Sequence, residues 1–156
     1  MSRFRKAGIG VTAAGAMAIS LIGGFEGYSA VAYKDVVGVW TACYGETKGI
    51  RAGMKFTKEQ CDDKFIQSLV EHENGMRKCL KNPDSIPDKP YISFISLTYN
   101  IGTGGFCNGT MPKLINAGKI KEACNFLVNY NKAGGIIWKG LVKRREREKA
   151  FCLSGI

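Results

Sequence analysis

The chain is poor in histidine: His72 is the only one in 156 residues. It has six cysteines, but none lies before Cys43 and no two stand in C-x-x-C spacing. A zinc site needs a close group of His and Cys ligands. No metal is therefore expected, and nothing in the chain implies another cofactor. There is no internal repeat and no low-complexity tract. With 45% hydrophobic and 23% charged residues, the composition is that of a folded globular protein and argues against disorder. The length suits one domain, or two small lobes sharing a helix. No acidic residue precedes Glu26, and residues 7–25 carry no charge at all.

What is present begins with positive charge. The net charge is +10, and Arg3, Arg5 and Lys6 account for three of it. From Glu26 onward, 20 Lys and Arg stand against 13 Asp and Glu; residues 111–156, with 10 against 3, carry that entire excess. A basic surface suits a polyanionic partner, whether nucleic acid, anionic lipid or bacterial cell wall, and charge alone does not choose. Six scattered cysteines fit three disulfides in an oxidising compartment. The alternative is six buried thiols in a reducing one.

The uncharged stretch favours export. As a helix, residues 7–25 would span about 28 Å, close to a bilayer core. The basic residues before it orient the N-terminus to the cytoplasm. Ile9, Val11, Ile19, Leu21, Ile22 and Phe25 together favour insertion by roughly 2 to 4 kcal/mol, and five glycines, Thr12 and Ser20 oppose it. It can be read as a cleaved signal peptide with Ala16-Met17-Ala18 as the site, a permanent anchor, an uncleaved signal that later leaves the membrane, or a Gly/Ala-rich helix of a soluble protein. The Gly/Ala content argues against a permanent anchor.

Further along, Ala30–Tyr33 and Val36–Tyr44 read as strands of a hairpin with Asp35 at or near its turn. Thr57-Lys58-Glu59-Gln60 is a capping box that opens a long helix, with Cys61, Phe65, Ile66, Leu69 and Val70 as its apolar stripe. Lys81–Pro90, with three prolines, is a break. Helices are expected over Tyr91–Tyr99, from Thr110 to Ala117, over Lys121–Tyr130 and over Gly140–Leu153, with loops at Thr103–Gly109 and Asn131–Gly135. The fold class is α+β, mostly helical with one small sheet.

Glu26, Asp35 and Thr41 follow one another across that hairpin. Two carboxylates and a hydroxyl suffice to hydrolyse a glycosidic bond: one carboxyl protonates the leaving oxygen, and the other stabilises positive charge or directs a water. Taken singly, Glu26 can be a surface charge, Asp35 a turn former and Thr41 a β-branched strand residue. Their joint spacing, Glu-x8-Asp-x5-Thr, resembles that of the phage-type lysozymes, the endolysins that cut peptidoglycan. Tyr99-Asn100-Ile101-Gly102 resembles the family's Phe/Tyr-Asn-x-Gly turn. Residues 110–118 resemble its following helix, and Gly140-Leu141, Arg144-Arg145 and Glu148 its C-terminal Gly-Leu-x-x-Arg-Arg-x-x-Glu pattern.

The resemblance implies a lysozyme-like fold and a peptidoglycan muramidase. Glu26 would be the general acid, partly desolvated beside Phe25. Asp35 would be the ionised stabiliser or nucleophile, and Thr41 the holder of a water. Arg145 would contact Glu26. The N-terminus resembles the signal-arrest-release subgroup, exported on an uncleaved weak anchor (residues 1–25) ahead of the catalytic domain (residues 26–156). The implied partners are peptidoglycan and, before release, the host inner membrane. The implied location is that membrane and then the periplasm, with a monomer and no nucleic acid. Some members restrain themselves through a cysteine in the anchor; here none precedes Cys43, so a steric restraint is implied. Departures from the family pattern are Glu46, where histidine is frequent, and Tyr44. Of fifteen formal disulfide pairings, Cys124–Cys152, Cys79–Cys107 and Cys43–Cys61 are favoured. The rival reading is a cationic protein that perturbs envelopes without hydrolysis; another keeps the enzyme but leaves it cytosolic. His72, between Glu71 and Glu73, is expected to be an exposed helix residue.

Overall fold

The computed structural model describes residues 1–156. The chain divides into two compact units, Met1–Glu71 and His72–Ile156.

The first unit opens with a short hairpin, β1 (Arg5–Lys6) and β2 (Gly10–Val11), and then helix α1 (Ala13–Glu26). This differs from the helix expected over residues 7–25. Phe4 is fully buried, and its carbonyl accepts from Thr12 N at 3.0 Å, so the chain doubles back before the helix begins. Thr12 is the N-cap, its Oγ1 accepting from Gly15 N at 3.0 Å, which satisfies a donor the first turn leaves open. The same hydroxyl donates to the Arg3 carbonyl. A side chain at Gly15 would overlap the Phe4 carbonyl, so glycine is what lets the doubled-back strand lie on the helix. With 14 residues, α1 is about 21 Å long. No helix of the chain is long and apolar enough to cross a membrane.

Strands β3 (Ser29–Lys34) and β4 (Trp40–Cys43) follow, antiparallel, with Tyr33 opposite Thr41 and Lys34 opposite Trp40. Helix α2 (Lys58–Lys78) begins at the expected capping box. Thr57 N donates to Gln60 Oε1 at 2.9 Å, and Gln60 N donates back to Thr57 Oγ1 at 3.1 Å. Cys61, Phe65, Ile66 and Leu69 on its apolar stripe are fully buried.

The second unit packs α3 (Asp88–Cys107), α4 (Met111–Asn116), α5 (Ile120–Phe126) and α6 (Lys139–Leu153), with a third hairpin, β5 (Lys132–Ala133) and β6 (Ile136–Ile137), before α6. The glycine-rich loop expected at Thr103–Gly109 is largely helix; α3 instead breaks its geometry at Gly102, where φ is 85°. The loop expected at Asn131–Gly135 is the third hairpin, so there are three two-stranded sheets rather than one. The fold class is nonetheless α+β and mostly helical. Disulfides join Cys43–Cys61, Cys79–Cys107 and Cys124–Cys152, the pairs favoured from the sequence, and no cysteine is free.

Candidate active site

Glu26 is the last residue of α1, half-buried, and Gly27 closes the helix by donating its N–H to the Gly23 carbonyl at 3.2 Å. The chain then enters β3 within three residues, so the helix end and the hairpin are joined by a minimal link. Asp35 begins the hairpin turn. Its Oδ1 accepts from Val37 N at 3.0 Å and Val39 N at 2.8 Å, and its own N–H donates to the Val39 carbonyl at 2.9 Å. An aspartate satisfies its neighbours' backbone in this way when a turn offers it converging N–H groups. Thr41 is 4% exposed, and its Oγ1 donates to the same Val39 carbonyl at 3.0 Å. Both groups are therefore tied to Val39: the carboxylate accepts from its N–H, and the hydroxyl donates to its C=O. Val36, Val37 and Val39 around them are exposed.

Behind the hairpin, Tyr44 locks the loop to α1 and α2. A Cβ on Gly23 would lie 3.1 Å from the Tyr44 ring, and that ring stacks on Phe65 at 4.6 Å. Tyr44 Oη donates to Asp62 Oδ1 at 2.5 Å, and Lys58 Nζ donates to both Tyr44 Oη and Asp62. Burial, then the bond to Asp62, pushes the Tyr44 hydroxyl pKa up.

Glu46 stands where the phage-type lysozyme pattern often has histidine. The structure gives it more weight. Ala42 and Glu46 exchange backbone hydrogen bonds, each 2.9 Å, in a tight turn held by the Cys43–Cys61 bridge. Both carboxyl oxygens of Glu46 are buried and without a hydrogen-bond partner. Burial first, and the nearby Glu26 carboxylate second, push its pKa up to about 7 against the pull of Lys64. Glu46 lines a cavity of about 260 Å³ with Lys48, Gly49, Lys64, Gln67, Ser68 and Glu71. Its non-histidine identity was the only signal in the sequence.

Arg145 is fully buried in the second unit. Its Nε donates to the Tyr130 carbonyl at 2.9 Å, and its Nη1 and Nη2 donate to Glu148 and to Asn100 Oδ1. Glu148 also accepts from Ser96 Oγ at 2.5 Å and from Arg144 Nε at 3.1 Å. The Tyr-Asn-Ile-Gly block and the Arg-Arg-x-x-Glu block thus meet in one buried network. His72 is not simply exposed, since its ring packs against Tyr99 at 4.8 Å. No three His, Cys, Asp or Glu side chains gather where they could hold a metal ion.

The phage lysozyme family model matches residues 23–148. A protein named SAR-endolysin from Enterobacteria phage P21 is 39% identical over 160 residues, covering 97% of this chain and 96% of its own. Another SAR-endolysin, from Bacteriophage PS119, is 40% identical over 133 residues, covering 85% and 78%. Among solved structures, the active form of the P1 phage endolysin Lyz superposes with a TM-score of 0.78 at 25% identity, covering 92% of this chain and 85% of that one.

Proposed function

Because the chain belongs to the phage lysozyme family, and is by that membership a glycoside hydrolase of the lytic endolysin type, we propose that it cleaves the β-1,4 bond between N-acetylmuramic acid and N-acetylglucosamine in peptidoglycan, with Glu26, Asp35 and Thr41 as its catalytic residues. Glu26 delivers a proton to the leaving glycosidic oxygen. With Oδ1 of Asp35 held by two backbone N–H groups, Oδ2 is the oxygen that stabilises positive charge at the anomeric carbon and takes a proton from a water or attacks directly. The Thr41 hydroxyl spends its hydrogen on the Val39 carbonyl, so its lone pairs accept from that water and turn the water's own lone pair toward the sugar. The observation that carries this reading is the shared attachment of Asp35 and Thr41 to Val39, in the hairpin that follows directly on the helix Glu26 ends.

A monomeric enzyme and the absence of a nucleic-acid partner belong to this proposal. So does export: residues 7–25 lodge first in the host inner membrane with the rest facing the periplasm. On release they fold as strand β2, pairing with β1, and helix α1. The names of the relatives and the small residues of α1 support this order of events.

Mass spectrometry of purified peptidoglycan digested by the enzyme tests the bond. Muropeptides ending in reducing N-acetylmuramic acid are expected. Reducing N-acetylglucosamine ends would mean the other glycosidic bond is cut, and anhydro ends would mean transglycosylation rather than hydrolysis.

A further inference from the structure

The hairpin β5–β6 is the barest stretch of the second unit: every residue from Lys132 to Gly140 is exposed. Ile136, Ile137 and Trp138 keep 64, 59 and 54% of their surface open. Three consecutive large apolar side chains at a protruding tip mark an interaction surface rather than scattered exposure. Successive strand residues point to opposite faces, so neither face of this ribbon is covered.

The tip is built to hold its shape. Gly134 and Gly135, with φ of 59° and 77°, form a two-residue turn that requires positive φ at both positions. Trp138 N donates to the Asn131 carbonyl at 3.1 Å, and its indole Nε1 donates to the Ala133 carbonyl at 3.1 Å. The indole N–H is therefore satisfied within the hairpin and needs no water, which lowers the cost of moving the ring into an apolar medium. A preformed tip also loses little freedom on docking. Lys132, Lys139 and Lys143 stand exposed around it, and no acidic residue occurs between Glu122 and Glu146.

We propose that this hairpin docks the protein on an anionic phospholipid bilayer, with Ile136, Ile137 and Trp138 entering the interface and Lys132, Lys139 and Lys143 resting on the headgroups. Indole rings favour the headgroup level of a bilayer, and lysines near an anionic surface add attraction that salt weakens. The isoleucine pair selects lipid over glycan: a sugar ring stacks on an indole, but two branched aliphatic chains gain little from a hydroxyl-rich polymer. This docking does not rest on the proposed chemistry.

The test uses the full chain carrying W40F, which leaves Trp138 as the single tryptophan. It is mixed with vesicles of phosphatidylglycerol and phosphatidylcholine, or of phosphatidylcholine alone. Trp138 emission should shift to the blue, and brominated acyl chains should quench it, with the phosphatidylglycerol vesicles only. I136S/I137S should lower the bound fraction by about fivefold or more. K132E/K139E/K143E should abolish the preference for phosphatidylglycerol. Every residue changed in these two variants is exposed, and circular dichroism is used to confirm that each variant folds. Residues 7–25 are present in every sample; binding that survives both variants while Trp138 emission stays unmoved would assign membrane contact to that segment and overturn the proposal. A blue shift produced by soluble muropeptides and not by vesicles would assign the surface to glycan and overturn it as well.

Discussion

Val39 is the residue on which the hairpin's chemistry turns, because Asp35 and Thr41 both bind its backbone. Neither side chain can rotate without breaking a bond to a neighbour in its own hairpin, which is the preorganisation a positioned water requires. The spacing of Glu26, Asp35 and Thr41 was legible because helix end, turn and strand each impose a fixed register. Glu46 was not legible in the same way, since its protonation depends on burial and on Glu26 rather than on sequence distance. It also yields a prediction. Its pKa rises from 4.5 to about 7 on folding, so the folded state holds its proton longer than the unfolded chain. Stability is fully present below pH 4.5 and is lost as pH rises toward 7. Discounting the full shift for screening around this partly buried side chain, the loss is about 1–2 kcal/mol. Glu46→Gln keeps the shape without the charge. Denaturant unfolding at pH 8 should find it more stable than wild type by about that amount, and at pH 4 the two should be nearly equal.

Among the elements, α1 carries the double reading of the N-terminus. Its glycines and alanines make residues 7–25 only weakly apolar, and the glycines admit the Phe4 carbonyl at Gly15 and the Tyr44 ring at Gly23. Low apolarity was visible in the sequence; the helix boundary was not. Hairpin β1–β2 forms because Phe4 is drawn into the core, a tertiary pull that periodicity does not report. Gly15→Val should push the doubled-back strand off the helix. Thermal unfolding should show a cost of about 1–3 kcal/mol, and limited proteolysis should cut the first eleven residues sooner than in wild type. The hairpin β5–β6 falls where the sequence predicts a loop, even though Gly134-Gly135 is a turn pair, because Lys132-Ala133 and Ile136-Ile137 are too short to show strand alternation.

Across the whole molecule, the blocks that resemble the family serve two different ends. On the proposed reading, Glu26, Asp35 and Thr41 do the chemistry. The Asn100 and Arg144-Arg145-Glu148 blocks are one buried ionic network of the second unit, with Glu148 balancing two arginines. Removing that carboxylate leaves buried positive charge without compensation. Glu148→Ala should therefore cost about 3–5 kcal/mol in equilibrium unfolding, with any loss of activity following from loss of fold. The α+β class and most helices were legible, because capping signals and apolar stripes are local; the Arg145 partners were not, since Asn100, Tyr130 and Glu148 come together only through packing. On the proposed mechanism this molecule cuts glycan by general acid catalysis from Glu26. The direct measurement is the initial rate of reducing-end release from purified peptidoglycan by wild type and by Glu26→Gln, both shown to be folded by circular dichroism. A loss of about a hundredfold or more in the variant is predicted. Equal rates would place the general acid on another residue.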